Sequence, residues 1–300
     1  MFAVAQKKYL YMYDSQGIEL HQMRDHLEPS LLEFLPYHFL LCTASKLGFI
    51  KYLDITCGKE IAECKTRKGE ATCMRQNQQN GILCSGHTNG EILMWTPNMA
   101  SKPVVKILAH LSAPVTSLAV SRCGKYMSTT GKDSRFKIWD IRKNFKCLHD
   151  YFTPQPATSC DFSDSGLVSL SFGNEVQIWK NSYNEKQKAP YMKHKMPKRD
   201  WGVHATAFAP YEDVLGIVHD KGYSSILVPG SGMANFDAYE SNPFETSKQR
   251  REKLVQGLLQ KLDPATISIN IDKIGDIDTA APEVRAKEEK EQADRAIEAM

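Results

Sequence analysis

His110 and Asp133, near the middle of this 300-residue chain, are the residues whose types could most easily do chemistry. A histidine beside a carboxylate is a common pair in general acid–base catalysis. The same pair can also be a buried structural hydrogen bond, because buried polar groups must find partners. The chain holds nine histidines and 35 acidic residues, so such a pair does not by itself indicate an enzyme.

No motif for catalysis or nucleotide binding accompanies this pair. The patterns G-x-x-x-x-G-K, G-x-S-x-G and H-E-x-x-H are absent. The eight cysteines are scattered and form no C-x-x-C pair, which favours free thiols in a reducing compartment over a zinc site. We therefore expect no catalytic, cofactor-binding or metal-binding residue and no small-molecule substrate.

A basic stretch at residues 186–199 indicates a different chemistry, which is contact with phosphate. It holds six cations with Tyr191 among them. Basic residues interleaved with an aromatic ring can neutralise phosphates and stack on a base. The stretch is predicted to be a long loop that either contacts RNA or protein or is simply solvated. Its candidate contact residues are Lys193, Lys195, Lys198 and Arg199.

A second basic stretch lies in a helix predicted near 243–262. Asn242 can cap this helix, Pro243 suits its first position and Glu245 its third, as in a capping box. Cations in the first turns oppose the helix dipole, which a bound phosphate or an acidic partner would explain. Alternatively, the helix packs its leucines on the rest of the protein and leaves its charges in water. The leucines of its apolar face are Leu254, Leu258 and Leu262. Its candidate contact residues are Asn242, Pro243, Phe244, Lys248, Arg250 and Arg251.

The composition is that of an ordinary globular protein. A formal charge of +3 and 42% hydrophobic residues allow a large core in one or two domains and do not indicate a surface that binds nucleic acid throughout. No apolar run reaches the roughly 18 residues that span a bilayer, and no secretory signal is visible at the start. We expect a soluble, intracellular protein with no membrane partner.

A short phrase returns along the chain at a steady interval. It is an alternating apolar run that ends in a bulky residue, often followed by Asp. The copies are separated by 40, 42, 44 and 40 residues, and further strand-like runs and turns lie between them. Four short strands in roughly 40 to 45 residues make one blade of a β-propeller, so an all-β fold is predicted. The copies end at Tyr13, Leu53, Trp95, Trp139 and Trp179.

The unit from 109 to 140 resembles the WD40 family. His110 lies where the family has Gly-His, although Ala109 replaces the glycine. Asp133 lies in the turn before the last core strand, and Trp139-Asp140 is the signature dipeptide. The resemblance implies a buried, structural hydrogen-bonded chain rather than a catalytic one. Its members would be His110, Thr129, Asp133 and Trp139.

The visible units amount to five or six blades, whereas seven is the number expected of a common propeller. Residues 1–229 are therefore predicted to form a WD40 β-propeller that is incomplete at its N-terminus. The first unit begins at the strand from Phe2 to Gln6, which corresponds to the second strand of the other units. An open ring exposes unpaired strand edges.

Beyond Pro229 the composition changes, and residues 232–252 read GMANFDAYESNPFETSKQRRE. This phrase resembles the C-terminal signature of the BING-type nucleolar WD-repeat proteins, which are subunits of the small-subunit processome. The resemblance implies a nucleolar, non-catalytic scaffold that supports pre-rRNA processing and 18S rRNA maturation in ribosome biogenesis. It also implies contacts with processome proteins, and with pre-rRNA and small nucleolar RNA directly or through partners.

Three regions are expected: the propeller at 1–229, a family-specific extension at 230–280 that carries the helix, and a charged helical or disordered tail at 281–300. Within the extension, residues 267–271 alternate like a short strand. The alternative function is a generic WD40 adaptor that binds peptides in a ubiquitin ligase or chromatin complex. Such an adaptor has no need of the phrase at 232–252. A propeller enzyme would need convergent acid, base or metal groups, and the sequence offers no such set.

Overall fold

Among the residues that the structure describes, alternating apolar residues separated by turn residues form six antiparallel sheets. Consecutive strands pair within each sheet, so every sheet is a meander built from local sequence. The computed structural model describes residues 2–14, 16–111, 113–142, 145–198, 201–233, 244 and 246–269.

The first three sheets are formed by the strands up to residue 108. Sheet 1 holds β1 (Phe2–Ala5), β2 (Leu10–Tyr13) and β3 (Glu19–Met23). Sheet 2 holds β4 (Pro29–Leu35), β5 (Leu40–Ser45), β6 (Phe49–Asp54) and β7 (Lys59–Lys65). Sheet 3 holds β8 (Ala71–Gln76), β9 (Leu83–His87), β10 (Glu91–Trp95) and β11 (Val105–Leu108).

The last three sheets follow in the same order. Sheet 4 holds β12 (Val115–Val120), β13 (Tyr126–Gly131), β14 (Arg135–Asp140) and β15 (Lys146–Phe152). Sheet 5 holds β16 (Ser159–Phe162), β17 (Val168–Phe172), β18 (Glu175–Trp179) and β19 (Met192–Lys195). Sheet 6 holds β20 (Val203–Phe208), β21 (Val214–His219) and β22 (Gly222–Leu227).

The first strands of sheets 2 to 6 are the inner strands of a propeller. Each contacts the next in the series β4, β8, β12, β16 and β20. The core lies between neighbouring sheets, where Tyr52, Trp95 and Phe136 are fully buried. The prediction of an all-β WD40 propeller is confirmed. Sheet 1 begins with the strand that corresponds to the second strand of the other sheets, because β2 carries the recurring phrase.

The C-terminal part of the described chain, residues 261–269, is fastened to sheets 2 and 3, and we call it the anchoring segment. Lys261 donates to the Asp54 carboxylate and, at 2.8 Å, to the Thr56 hydroxyl. Burial opposes ionisation of Asp54, but the hydrogen bonds from Lys261 and Thr56 outweigh it and lower the pKa of that carboxyl. Charge and hydrogen bonding therefore hold the start of the segment.

Apolar burial holds the other end of the anchoring segment. Ile267 is 1% exposed and packs in the same core as Tyr52 and Trp95. Gly81, which has a φ of +70°, leaves room for it, since a Cβ there would lie 3.1 Å from Ile267 Cγ1. The Asn98 amide donates to the Ala265 carbonyl at 2.9 Å.

The anchoring segment changes the predicted organisation in two ways. Residues 2 to 269 belong to one compact unit, so the extension is not separate from the propeller at 229. The expected strand at 267–271 is absent over residues 267–269, and a 3₁₀ turn at Pro264–Thr266 precedes them instead. Residues 270 and 271 lie outside the described part.

The helix of the extension, α1, spans Ser247–Leu259. The predicted start at 243 is wrong, because Thr246 caps the helix in a capping box with Gln249. Asn242, Pro243 and Glu245, to which the cap was assigned, lie outside the described residues. Packing of the leucines on the propeller is also wrong, since Leu254 and Leu258 are exposed. No helix in the described ranges is long and apolar enough to cross a membrane.

We expect Ile267→Ala to lower the free energy of unfolding by about 2–5 kcal/mol, the usual cost of truncating a buried isoleucine. Leu262→Ala is the matched control, because Leu262 is half-exposed and little burial is lost there. Urea unfolding of both variants measures the difference. Equal midpoints would contradict the role given to the anchoring segment.

Candidate interaction surfaces

The four residues assigned to the hydrogen-bonded chain lie within hydrogen-bonding distance of one another. Trp139 Nε1 donates to Thr129 Oγ1 at 3.0 Å, and His110 Nε2 lies 3.1 Å from the same oxygen. His110 Nδ1 lies 3.0 Å from Asp133 Oδ1. One direction satisfies every group: Trp139 donates to Thr129, the Thr129 hydroxyl donates to Nε2, and Nδ1 donates to Asp133.

The environment of His110 keeps the imidazole neutral. Burial disfavours the charged ring and lowers its pKa, although the hydrogen bond that His110 donates to Asp133 acts in the opposite direction. The ring is fully buried, and its loop packs so closely that a Cβ at Gly90 would collide with the His110 carbonyl. A side chain with both nitrogens engaged and no open space beside it fits a structural role.

Sheets 2 and 3 contain similar series of buried, hydrogen-bonded side chains, which the sequence patterns did not predict. In sheet 2, His26 Nδ1 lies 2.7 Å from Thr43 Oγ1, and Leu53 takes the place of the tryptophan. In sheet 3, Ser85 Oγ accepts from Trp95 Nε1 at 3.2 Å and lies 3.1 Å from His87 Nε2. The available signal was a hydroxyl ten residues before the bulky residue, as Thr43 precedes Leu53 and Ser85 precedes Trp95.

Trp179 in sheet 5 has no hydroxyl at the corresponding position of the neighbouring strand. Trp139 lies opposite Met127 and Trp179 lies opposite Val168, so Leu170 corresponds to Thr129. Leucine cannot accept a hydrogen bond, and the buried Trp179 Nε1 has no partner in the described structure. Trp179 packs against Tyr151 instead, with ring centroids 5.3 Å apart.

A cavity of about 300 Å³ lies at the C-terminal ends of the inner strands. Glu33, Arg75 and Asp161 line it, and Arg75 Nη1 lies 3.8 Å from Glu33 Oε2. Burial raises the pKa of both carboxyls, and the positive charge of Arg75 opposes this rise. Among the residues that the structure describes, no three metal-binding side chains cluster together.

The first basic stretch is not one long loop. Met192–Lys195 form β19, the outer strand of sheet 5, because Met192 and His194 turn inward while Lys193 and Lys195 face solvent. Lys195 lies 3.6 Å from Glu175 on the neighbouring strand. Lysines on an edge strand also discourage pairing with other chains. Lys198 is exposed, and Arg199 lies outside the described residues.

The second basic stretch lies on α1, so the predicted contact residues are divided between a strand and a helix. Lys248, Arg250 and Arg251 are exposed in its first half, and Lys248 lies 4.0 Å from Glu252. Phe244, just before the helix, is 88% exposed. Asn242 and Pro243 are outside the described part of the chain.

Comparison with known proteins places this arrangement in a family. A model of the BING4CT (NUC141) domain matches residues 190–270, and a model of the WD domain, G-beta repeat, matches residues 101–140. The chain is 43% identical over 300 residues to U3 small nucleolar RNA-associated protein 7 of Saccharomyces cerevisiae, with 95% of this chain and 53% of that protein covered. The chain belongs to the BING4-type WD-repeat proteins.

Further relatives of this BING4-type chain support the assignment. WD repeat-containing protein 46 of Homo sapiens is 40% identical over 292 residues, which cover 96% of this chain and 47% of that protein. The chain thus spans about half the length of the curated relatives it matches. A chain in the crystal structure of the mitotic checkpoint complex superposes with a TM-score of 0.63 over 74% of this chain and 69% of that chain. At 16% identity, this likeness shows the fold alone.

The BING4CT match does not coincide with a separate domain. It begins before β19, includes all of sheet 6 and α1, and ends one residue past the anchoring segment. The last sheet, the helix and the segment that returns to sheets 2 and 3 thus form one family-specific stretch. The predicted boundary at 229 divides that stretch.

We expect Thr129→Val to lower the free energy of unfolding by roughly 2 kcal/mol or more. The change leaves Trp139 Nε1 and His110 Nε2 unpaired, and each buried polar group without a partner costs about 1–3 kcal/mol. Sheet 5 offers the reverse test: Leu170→Thr should be at least as stable as Leu170→Val, because threonine restores a partner for Trp179. Chemical unfolding compares Thr129→Val with the parent protein and Leu170→Thr with Leu170→Val. A Thr129→Val variant as stable as the parent would contradict the account.

We expect Arg75→Met to destabilise the protein by up to about 1 kcal/mol near pH 7 and by less near pH 5. The folded-state pKa values of Glu33 and Asp161 lie above the unfolded ones, so these carboxylates weaken the fold at neutral pH. Removing Arg75 raises both pKa values further, and protonation at lower pH relieves the penalty. Unfolding midpoints at the two pH values test this. Arg135→Met, which removes an exposed arginine 2.7 Å from Asp150, is the control. A loss that grows as the pH falls would refute the prediction.

Proposed function

We propose that this chain is a non-catalytic scaffold subunit of the small-subunit processome in the nucleolus. It would support pre-rRNA processing and 18S rRNA maturation through contacts with processome proteins, and with pre-rRNA and small nucleolar RNA directly or through partners. A role in ribosome biogenesis is supported by the yeast relative, whose name associates that protein with U3 small nucleolar RNA.

One observation carries the scaffold proposal. The family-specific stretch is fastened to sheets 2 and 3 at its C-terminal end, and it presents an exposed helix just before that end. The anchoring segment fixes residues 261–269 by hydrogen bonds and by burial of Ile267. The preceding helix has exposed cationic and apolar side chains, among them Arg250, Arg251 and Leu254. A propeller that carries such an exposed helix is suited to joining other components.

The polar groups favour a non-catalytic role as well. His110 has both ring nitrogens engaged in a buried chain. The partly buried Glu33 and Asp161 lie near the positive charge of Arg75, and Asp161 also accepts from the Phe208 amide at 2.8 Å. A histidine with both ring nitrogens paired within the fold is poorly placed to move protons on a substrate.

The direct test is depletion of the protein followed by rescue with the tagged full-length chain. We expect depletion to lower mature 18S rRNA and to accumulate its precursors, and we expect the tagged chain to sediment with large pre-ribosomal particles. Normal precursor levels, together with sedimentation as a free protein, would overturn the proposal. Recovery with a ubiquitin ligase or chromatin complex instead would favour the generic adaptor.

A charge-reversal variant tests the part assigned to α1. Lys248→Glu, Arg250→Glu and Arg251→Glu together should reduce co-sedimentation with pre-ribosomes while leaving the unfolding midpoint unchanged, because all three side chains are exposed. The matched control reverses three exposed lysines elsewhere, Lys102, Lys125 and Lys146. Equal sedimentation of the two triple variants would sink the assignment of this surface.

A further inference from the structure

The exposed face of α1 combines apolar and cationic residues in a regular order. With 3.6 residues per turn, side chains four apart lie in one row. One row runs Arg250, Leu254, Leu258, and the adjacent row runs Arg251, Val255, Leu259. Each row therefore begins with an arginine and continues with apolar side chains.

The opposite side of α1 has a different composition. It carries Gln249, Lys253 and Gln256, with Gly257 at its edge, and Gly257 is the residue of the helix that is not fully exposed. The apolar rows face solvent, with Leu254 65% exposed and Leu259 79% exposed. Amphipathic helices normally bury their apolar stripe, whereas the side chains on both sides of this helix are exposed.

An isolated helix of this length is marginal in water. Helices shorter than about 12–15 residues need tertiary packing of an apolar face to be stable, and α1 has 13 residues. Within the described structure, its support is the capping box at Thr246 and the attachment at Lys261. The four apolar side chains in its two rows would gain from being covered.

We infer that this face of α1 docks into a groove of a protein partner, with an apolar floor and a carboxylate rim at the end that meets the arginines. The inference rests on the proposed function, since the partner would be another component of the same assembly. Carboxylates on the rim would pair with Arg250 and Arg251 at the start of the two rows, and with Lys248 beside them. Apolar residues on the floor of the groove would cover the leucines and the valine, as in other helix-in-groove interfaces.

RNA fits the same face less well. Phosphates would pair with Lys248, Arg250 and Arg251, but they would leave the leucine rows in water. The anchoring segment begins within two residues of the helix end, so the attached end of α1 is already held before a partner binds. Holding it in advance reduces the ordering cost of docking.

Site-specific photocrosslinking in purified pre-ribosomal particles tests the inference. A photoreactive residue is placed at Leu258, on the apolar row, or at Gln256, on the opposite side, in the full-length chain. We expect a protein crosslink from position 258 and little from position 256. Crosslinking of position 258 to RNA, equal crosslinking at both positions, or none at 258 would each overturn the inference.

A binding assay on the purified chain separates this inference from the proposed function, because it requires no ribosomal particle. The probe is a fluorescent helical peptide of Glu and Leu with the leucines at i, i+4 spacing. The comparison probes are the same peptide with serine for leucine, a single-stranded RNA and anionic vesicles. We expect the Glu/Leu peptide to bind more tightly than the serine peptide.

Variants of the chain then assign the binding to α1. Leu254→Ser with Leu258→Ser, or Arg250→Glu with Arg251→Glu, should weaken peptide binding by roughly tenfold, which corresponds to about 1.4 kcal/mol. Gln256→Ser is the control on the opposite side, outside the capping box, and should change little. Equal binding of the two peptides, preferential binding of RNA or vesicles that the leucine changes leave intact, or an equal loss in the control would overturn the inference. If the chain binds the peptide but does not sediment with pre-ribosomes, the proposed function fails and the surface stands.

Discussion

Sheets 2 to 5 of this protein are apolar on both faces, and each must be covered by a neighbouring sheet on each side. The fully buried Tyr52 of sheet 2 and Trp95 of sheet 3 lie in one continuous core, and Phe136 of sheet 4 packs with residues of sheet 5 in the next. The constraint explains why the bulky residue returns at the end of each third strand.

The same constraint decides how much could be predicted from the sequence. The repeat of about 40 residues and the alternation within strands predicted the propeller. Asp133 and the Trp139-Asp140 pair then indicated that His110 and Thr129 belong to the same hydrogen-bonded series. The related chains were harder to find: His87 lies on strand β9 itself, and Leu53 replaces the tryptophan that would mark His26. Leucine keeps the position apolar but lacks the indole N–H, so a pattern of apolar residues does not reveal the change in hydrogen bonding.

The errors in the extension have a different physical origin. Asn242-Pro243 and Thr246 are both good helix starts by local preference, and the reciprocal bonds of Thr246 with Gln249 decide between them. Residues 267–271 alternate like a strand, yet Ile267 is buried because it fills space beside Gly81, between sheets 2 and 3. That burial depends on residues more than 180 positions away in the sequence, which no local pattern contains. The prediction of a loop at 186–199 was wrong for a similar reason. Residues Met192–Lys195 pair with β18, and the side chains of Met192 and His194 are half-buried there.

These features form one arrangement. The family-specific stretch of the propeller returns to sheets 2 and 3 and leaves one face of α1 for a partner. Hydrogen–deuterium exchange of the tagged chain, free and within purified pre-ribosomal particles, measures this most directly. The account predicts fast exchange of the amides of Ser247–Leu259 in the free chain and strong protection in the particle, with β13 and β14 equally slow in both. Unchanged exchange of the helix on entering the particle would contradict it.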